Sequence, residues 1–286
     1  MTEAEFLAAL RTLPLHPGAR DLRDDCAVTE IGGVSLILTH DVMSEGVHFR
    51  SDADLADVAW KLVAVNLSDL AAKGAEPIGL LLGHALSSGD ARFIIGLREA
   101  LSAFDVPLFG GDTVAASPGA RTFGITAIGR ATSRTVPCRS GARAGNAVYV
   151  TGTLGRAMLG FEGQADHAEA FNRPRPRLAE GRALASHVTA MMDVSDGLLL
   201  DAYRMAEASA VTLAIQSASV PVSDPLRLQE CLRWGDDYEL LFTLPNETIS
   251  PVPATRIGSV EQRGTAPLTL DGQAIASTKG LGFQHA

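Results

Sequence analysis

The sequence predicts an α/β protein built from two domains. Between Val34 and Phe242, short apolar runs typical of strands alternate with longer segments that have helical periodicity. A length of 286 residues fits one large domain or two modest ones. Residues 134–145 have no clear periodicity and separate two such series. We therefore place a domain boundary near residue 138 and predict an N-terminal domain over 1–137 and a C-terminal domain over 138–286.

The composition restricts the function classes. A hydrophobic content of 46% with 20% charged residues is ordinary for a soluble globular protein. The net charge of −9 argues against a nucleic-acid-binding protein, which needs a basic face. Acidic excess fits a protein that collects divalent cations, and a solvated acidic surface explains it equally well.

The same composition bears on compartment. The three cysteines lie far apart, match no zinc-site spacing and are typical of reduced core residues in a cytosolic protein. The N-terminus resembles no signal peptide, and no run of about 20 apolar residues is present to span a bilayer. We expect a cytoplasmic protein with no membrane or nucleic-acid partner.

Local signals predict the individual elements. Thr2 and Glu5 form a capping box for a first helix. Glycine, proline and the apolar periods indicate strands over 34–41, 78–86 and 123–131, and helices over 56–73 and 91–104. Residues 106–113 predict a short strand that breaks into a Gly-Gly-Asp-Thr turn. After the boundary we expect strands near 147–151 and 191–194, helices from 178 and 198, and a strand entered from an acidic loop at 236–237.

One helix carries the most informative stretch, residues 63–77. Its apolar positions have the helical period, yet Asn66, Ser68 and Asp69 interrupt them. A buried carboxylate is costly unless a partner holds it. An isolated aspartate would be expected on the wet face of the helix, but the other acidic loops of the chain favour Asp69 as a metal ligand.

Acidic residues recur at six separate loops or helix positions along the chain, and some of them follow a strand, where α/β proteins bind ligands. They are Asp25, Asp41, Asp69, Asp112, the pair Asp193 and Asp196, and the pair Asp236 and Asp237. Carboxylates that converge repel one another unless multivalent cations lie between them, and oxygen-only ligands suit magnesium. With glycine turns able to approach phosphates, this combination predicts a site for phosphoryl transfer from a magnesium–nucleotide complex.

Simpler interpretations apply to several of these segments taken singly. The run Asp21–Asp25 is typical of a solvated turn, and Ser195 or Asp196 would serve as the N-cap of the helix from 198. The glycines at 152 and 155 indicate only weakly a phosphate-binding turn, because the pattern lacks a Walker lysine. The basic segment 173–177 is expected to be a stiff exposed connector.

Eight strings of the sequence, taken together, resemble the thiamine-monophosphate kinase family from about residue 21 to 283. They include Thr-His-Asp-Val-Met-Ser-Glu-Gly-Val-His-Phe, Val-Asn-Leu-Ser-Asp-Leu-Ala-Ala-Lys-Gly-Ala-Glu-Pro, Gly-Gly-Asp-Thr, Asp-Val-Ser-Asp-Gly and Gly-Asp-Asp-Tyr-Glu-Leu. The wider superfamily, which includes aminoimidazole ribonucleotide synthetase and selenophosphate synthetase, shares the acids but not Glu-Gly-Val-His-Phe in this form.

The resemblance implies transfer of the γ-phosphoryl group of ATP to thiamine monophosphate, giving thiamine diphosphate and ADP. It implies an aminoimidazole ribonucleotide synthetase-like fold, whose N-terminal domain binds metal and ATP and pairs in a homodimer to form a β-barrel, and whose C-terminal α/β domain completes the site. Several magnesium ions are implied. By position, the metal residues are Asp25, Thr39, His40, Asp41, Asp69, Asp112, Asp193 and Asp196; the ATP residues are Gly111, Arg139 and Ser195; and the substrate residues are His48, Asp236 and Phe283.

The chain departs from the family pattern at a few positions. Arg23 stands where the family has glycine, His40 where threonine is common, Trp234-Gly-Asp in place of Gly-Gly-Glu, and Ala144-Gly-Asn in place of Pro-Gly-Asp. None of these removes an acid. Two alternatives stay open, namely a sister ATP-dependent enzyme of the superfamily and a non-catalytic nucleotide-binding relative.

Overall fold

The computed structural model describes residues 2–115 and 119–285 and contains two β-sheets, one after the other along the chain. The α-helices are α1 (Glu3–Leu10), α2 (Leu55–Ala72), α3 (Asp90–Ala103), α4 (Arg156–Phe161), α5 (Ala168–Asn172), α6 (Leu178–Leu184), α7 (Leu198–Ser209) and α8 (Leu228–Cys231). The strands are β1 (Ala27–Ile31), β2 (Val34–Ser44), β3 (Ala75–Leu86), β4 (Leu108–Ala115), β5 (Thr122–Ala131), β6 (Asn146–Val150), β7 (Ala190–Val194), β8 (Val211–Ile215), β9 (Glu239–Pro245), β10 (Thr255–Gln262), β11 (Leu268–Leu270) and β12 (Gln273–Ile275). The predicted α/β class is confirmed.

The first sheet has the strand order β1-β2-β5-β3-β4, with only the β3/β4 pair parallel. Helices α2 and α3 cover one face, where a core that includes Leu62, Phe93 and Phe123 is fully or almost fully buried. Other apolar side chains of this sheet are exposed, among them Val42, Leu81, Phe109 and Val114. Over the described residues this sheet is open, so its five strands form no closed barrel within one chain.

The prediction of a turn at Gly-Gly-Asp-Thr is wrong. These residues lie inside β4, where Gly110 to Thr113 pair in register with Leu81 to His84. Gly111 has φ +153°, and a Cβ there would lie 1.9 Å from the carbonyl oxygen of Leu82. The glycine therefore permits close strand pairing, and β4 is an edge strand with all eight residues exposed.

Helix α2 connects the two halves of the molecule. It begins at Asp54, whose carboxylate accepts a hydrogen bond from Ala56 N at 2.9 Å, and all its residues except Asp57 and Asp69 are buried. Towards its C-terminus, Ala71 and Ala72 pack in a core with residues of α6, β7 and β9. The approach is so close that a Cβ on Gly181 of α6 would lie 2.0 Å from the carbonyl oxygen of Ala71.

The second sheet has the order β12-β11-β8-β10-β6-β9-β7 and packs against α7. The helix begins at residue 198 as predicted, but its N-cap is Gly197, without a side-chain cap. Instead, Asp201 within the helix accepts a hydrogen bond from Asp196 N at 3.1 Å. The expectation that Ser195 or Asp196 caps α7 is therefore wrong.

The three cysteines are free, with Cys26 and Cys231 buried and Cys138 partly buried. Within residues 2–115 and 119–285, none of the helices has the length and apolar composition needed to cross a bilayer.

Candidate metal and phosphoryl-transfer site

Three carboxylates from separate elements converge between the two sheets. Asp25 precedes β1, Asp69 lies on α2, and Asp193 lies on β7. One oxygen atom from each lies within 4.8 Å of the other two. The sequence predicted all three as metal residues, and the packing of α2 against both halves of the chain is what brings them together.

The carboxylate of Asp25 is completely buried between two cations. Its Oδ1 accepts a hydrogen bond from Arg139 Nε at 2.7 Å, and its Oδ2 lies 2.5 Å from Lys73 Nζ. Burial would raise the pKa of Asp25, but the charges of Arg139 and Lys73 hold it below its usual value. The neighbouring Asp24 also binds Lys73 at 2.5 Å. The interpretation of the 21–25 run as a solvated turn is wrong for its last two residues.

Asp69 and Asp193 have no cation among their direct side-chain partners in the described chain. Asp69 accepts a hydrogen bond from the Thr39 hydroxyl, and Asp193 accepts one from Ser68 Oγ at 2.7 Å. Burial, reinforced by neighbouring carboxylates, raises the pKa of Asp69 well above its usual value and that of Asp193 to about 7. Without a counter-ion, this half of the cluster therefore tends to hold protons.

The donor set fits magnesium. All three converging groups are carboxylates, the ligands that hard divalent cations prefer. Asp25 Oδ2 is buried and has no aligned hydrogen-bond donor, although Lys73 Nζ lies close to it. A metal ion bound by Asp69 and Asp193 would relieve the repulsion that raises their pKa values.

The remaining predicted metal residues are spread more widely. Burial, with the charges of Asp25 and Asp196, raises the pKa of Asp41 to about 6, as expected for a carboxyl beside the cluster. Asp196 forms an ion pair with Arg204. Two others lie away from the converging three: the His40 side chain is exposed and lies 2.9 Å from Thr126 Oγ1, and Asp112 is exposed on β4.

The predicted ATP residues are likewise divided. Arg139 lies in the cluster through its contact with Asp25. Ser195 lies in the loop between β7 and α7, and its carbonyl oxygen accepts a hydrogen bond from Asp236 N at 2.8 Å. Gly111 lies with Asp112 on the exposed edge strand. The structure therefore joins Arg139 to the acids and leaves Gly111 outside them.

The predicted substrate residues form a second group next to this loop. The rings of His48 and Phe283 lie 6.5 Å apart, and Phe283 N donates a hydrogen bond to Asp196 O at 2.9 Å. His48 Nδ1 accepts a hydrogen bond from Ser44 N at 3.0 Å, and burial lowers the pKa of the ring. His48 is consequently neutral near pH 7.

Asp236 connects this group to α2. Its Oδ2 lies 2.7 Å from the ammonium of the buried Lys61, and its Oδ1 accepts a hydrogen bond from Tyr238 OH at 2.8 Å. Lys61 also lies 3.9 Å from the centre of the Phe171 ring. A cavity of about 240 Å³ adjoins His48, Lys61 and Phe171.

The weak phosphate-binding pattern at 152–155 does not correspond to an open anion site. The first amide at this end of α4, Gly155 N, donates to Asp237 Oδ1 and Oδ2 at 3.0 and 2.9 Å. A carboxylate of the chain therefore takes the position that a phosphate would need. The basic 173–177 segment is also engaged, since Arg173 pairs with Asp57 and Arg177 with Glu239.

Two family models match the chain. The N-terminal domain of AIR synthase related proteins matches residues 23–131, and the C-terminal domain of the same proteins matches residues 143–265. The thiamine-monophosphate kinase of Escherichia coli K12 is 36% identical over 91% of this chain and 85% of the relative. The kinase of Caulobacter vibrioides is 37% identical over 86% of this chain and 78% of its own.

The chain belongs to the thiamine-monophosphate kinase family.

Solved structures agree with this family assignment. The one described as "AaThiL complexed with AMPPCP and TMP" has a TM-score of 0.87, with 28% identity, and the match covers 100% of this chain and 97% of the other. The thiamine-monophosphate kinase of Stenotrophomonas maltophilia K279a has a TM-score of 0.76, 30% identity, and coverage of 95% and 96%. The expected two-domain fold of the family is confirmed.

Sequence reasoning missed four residues that complete the geometry in this family member. They are Asp24, Lys61, Lys73 and Tyr238. A signal was present for the two lysines, because Lys61 stands among apolar residues of α2 and Lys73 is the C-cap of the same helix, four residues after Asp69. Their partners come from distant segments and could not be assigned from spacing.

The first prediction concerns Asp69. Asp69→Asn keeps the shape of the side chain but removes a charge that only a cation would balance. We expect the melting temperature in EDTA to stay the same or rise. The apparent affinity for magnesium, measured from the rise in melting temperature, should fall at least tenfold. Thermal unfolding in a magnesium titration measures both quantities. Asp166→Asn, which changes an exposed aspartate, serves as the control. Equal magnesium affinity in the two variants would contradict the metal role of Asp69.

Proposed function

We propose that the protein is an ATP-dependent kinase that converts thiamine monophosphate to thiamine diphosphate and releases ADP, in the last step of thiamine diphosphate biosynthesis. The observation that carries the proposal is the convergence of Asp25, Asp69 and Asp193 next to the His48–Asp236–Phe283 group, in a chain of this family. The similarity to a complex containing AMPPCP and TMP supports one site for a nucleotide and another for the acceptor. A cytoplasmic location, where ATP is supplied, is part of the proposal.

The proposed reaction needs no covalent intermediate on the protein. The acceptor is a phosphate oxygen that is already ionised near pH 7, so no strong general base is required. Bound magnesium would neutralise the charge on the transferred phosphoryl group. The chain itself must hold donor and acceptor in line, and fixed cations such as Arg139 would reduce repulsion between the two phosphates.

We assign the groups as follows, as part of the proposal. The carboxylates of Asp25, Asp69 and Asp193 would hold magnesium, with Thr39, Asp41 and Asp196 around them. The nucleotide would contact Arg139, Ser195 and Gly111, and the acceptor would contact His48 and Phe283. The His40 side chain would take no part, because it is exposed and bonded to Thr126, so only its backbone could contribute. The N-terminal domain, over 1–137, would then supply most metal ligands, and the C-terminal domain, over 138–286, would complete both subsites.

The direct test is an assay with ATP, magnesium and thiamine monophosphate, with the products separated by chromatography. We expect thiamine diphosphate and ADP in equal amounts, and no phosphorylation of free thiamine, whose alcohol would need a general base. Asp69→Asn should lower the rate at least about 100-fold, equivalent to about 3 kcal/mol of transition-state stabilisation. Turnover of ATP without a diphosphate product would favour a sister enzyme, and no ATP binding at all would favour a non-catalytic relative.

We propose that Asp236 acts on the acceptor through Lys61. Both oxygens of Asp236 already accept hydrogen bonds, from Lys61 and Tyr238, so its carboxylate is not free to pair with a thiazolium ring. Lys61 adjoins the cavity beside His48 and can offer its charge to the acceptor phosphate. The aromatic rings of Phe283 and Phe171 would suit the cationic ring system.

Asp236→Asn and Lys61→Met should each raise the KM for thiamine monophosphate about tenfold or more and leave the KM for ATP within about twofold. Breaking a buried ion pair also costs stability, typically about 3–5 kcal/mol. The double variant Lys61→Met/Asp236→Asn separates the two effects: it should recover stability but not the acceptor KM. Equal changes in both KM values would contradict the assignment.

We further propose a homodimer formed through the exposed face of the first sheet. A contiguous set of exposed apolar side chains is unusual on a monomer, and this sheet presents Val42, Leu81, Phe109 and Val114 beside the unpaired edge of β4. Two open sheets meeting there could give the barrel typical of the family. Asp112 and Gly111, which lie away from the acids within one chain, would then lie at the subunit boundary.

Light scattering should accordingly give a mass near twice 30.0 kDa. Phe109→Glu, which buries a charge in the proposed interface, should shift the protein towards the monomer. The control Phe6→Glu alters another exposed phenylalanine, on α1. A wild-type mass of one chain at micromolar concentration would contradict the dimer.

A further inference from the structure

Lys73 is a completely buried cation of the acidic cluster. Its side chain is 0% exposed, and its ammonium lies 2.5 Å from both Asp24 Oδ1 and Asp25 Oδ2. Met191 O, on β7, lies 3.4 Å from the same nitrogen. The lysine therefore contacts the segment before β1 and a strand of the second sheet from the end of α2.

The fixed cations are distributed unevenly over the cluster. Asp24 binds Lys73 and Arg20, and Asp25 binds Lys73 and Arg139. On the other side, the direct side-chain partners of Asp69 and Asp193 are the hydroxyls of Thr39 and Ser68. The chain neutralises one half of the cluster with its own side chains and leaves the other half to an external cation.

We propose that Lys73 is a built-in counter-cation of the cluster. Its ammonium takes the position that a metal ion shared by Asp24 and Asp25 would occupy, and it keeps those carboxylates paired and oriented in the metal-free protein. Divalent cations are then drawn chiefly by Asp69 and Asp193. Lys73 is a positioning residue: it acts through Asp25 and sets how much magnesium the cluster requires. This inference rests on the proposed metal role of the cluster.

The geometry makes the lysine part of the electrostatic balance as well as of the packing. Its ammonium lies 2.5 Å from a carboxylate oxygen on each side, where unlike charges attract strongly. Removing the ammonium would leave Asp24 and Asp25 next to each other and close to Asp69. The cluster should then bind Mg²⁺ more strongly and depend on it for stability.

The experiment measures Mg²⁺ affinity by calorimetry, without nucleotide, on the full chain with magnesium chloride as the probe. Melting temperatures in EDTA and in magnesium are recorded in parallel. In Lys73→Met, the Kd for Mg²⁺ should fall about tenfold, and the loss of melting temperature should be larger in EDTA than in magnesium. Lys61→Met is the matched control, because Lys61 is another buried lysine of α2 but pairs with Asp236. Its loss of melting temperature should be the same in EDTA and in magnesium.

Asp24→Asn provides the opposite change in case Lys73→Met fails to fold. Removing this carboxylate leaves Lys73 with excess positive charge, so the Kd for Mg²⁺ should rise about tenfold. In the double variant Asp24→Asn/Lys73→Met, the Kd for Mg²⁺ should return to within about threefold of the wild-type value. A Kd unchanged within twofold in the single variants, or weaker binding in Lys73→Met, would overturn the proposal. Failure of the wild-type protein to bind Mg²⁺ would instead contradict the proposed function.

Discussion

The structure depends on one electrostatic constraint, the burial of several carboxylates at the junction of two sheets. Desolvation of each carboxylate costs several kcal/mol, and like charges a few ångströms apart add to that cost. The chain meets the constraint in two ways. Asp24 and Asp25 face lysine and arginine. Among the described residues, the direct side-chain partners of Asp69 and Asp193 are hydroxyls, and their pKa values are raised. With the proposed metal role, this division would make the site stable when empty and still attractive to divalent cations.

Helix α2 is the element that makes the arrangement possible. Because it is buried against both sheets, residues spaced along its length reach different parts of the site: Lys61 reaches Asp236, Asp69 reaches the carboxylate cluster, and Lys73, at the C-cap, reaches Asp24 and Asp25. A small shift of the helix would move all three contacts together. The close approach of Gly181 to Ala71 fixes that position from the C-terminal side, so the packing of small residues beside Asp69 and Lys73 sets the geometry of the cluster.

Much of the fold and part of the site could be predicted from the sequence. The helical period predicted α2 to within one residue at each end, and the acids at separate loops and helix positions indicated that Asp25, Asp69 and Asp193 converge. Local signals failed where a distant segment decided the outcome. The Gly-Gly-Asp-Thr stretch has turn composition, but pairing with β3 makes it a strand, and Asp24 and Asp25 have turn composition, but Lys73 buries them. The glycine pattern at Gly155 is compatible with phosphate binding, but in the structure its amide donates to the carboxylate of Asp237.

Tertiary contacts, which explain why local signals failed, also explain the departures of this chain from the family pattern. His40 can replace a common threonine because alternation along β2 directs its side chain to the face opposite Thr39, which binds Asp69. The backbone at residue 40 is retained while the side chain is released from the site. Asp236 illustrates the reverse case, since a shorter carboxylate in the family's glutamate position is compatible with a lysine that reaches it from α2. A position in this fold is therefore constrained by the charge that faces it, and that charge is supplied by tertiary contacts that no local pattern specifies.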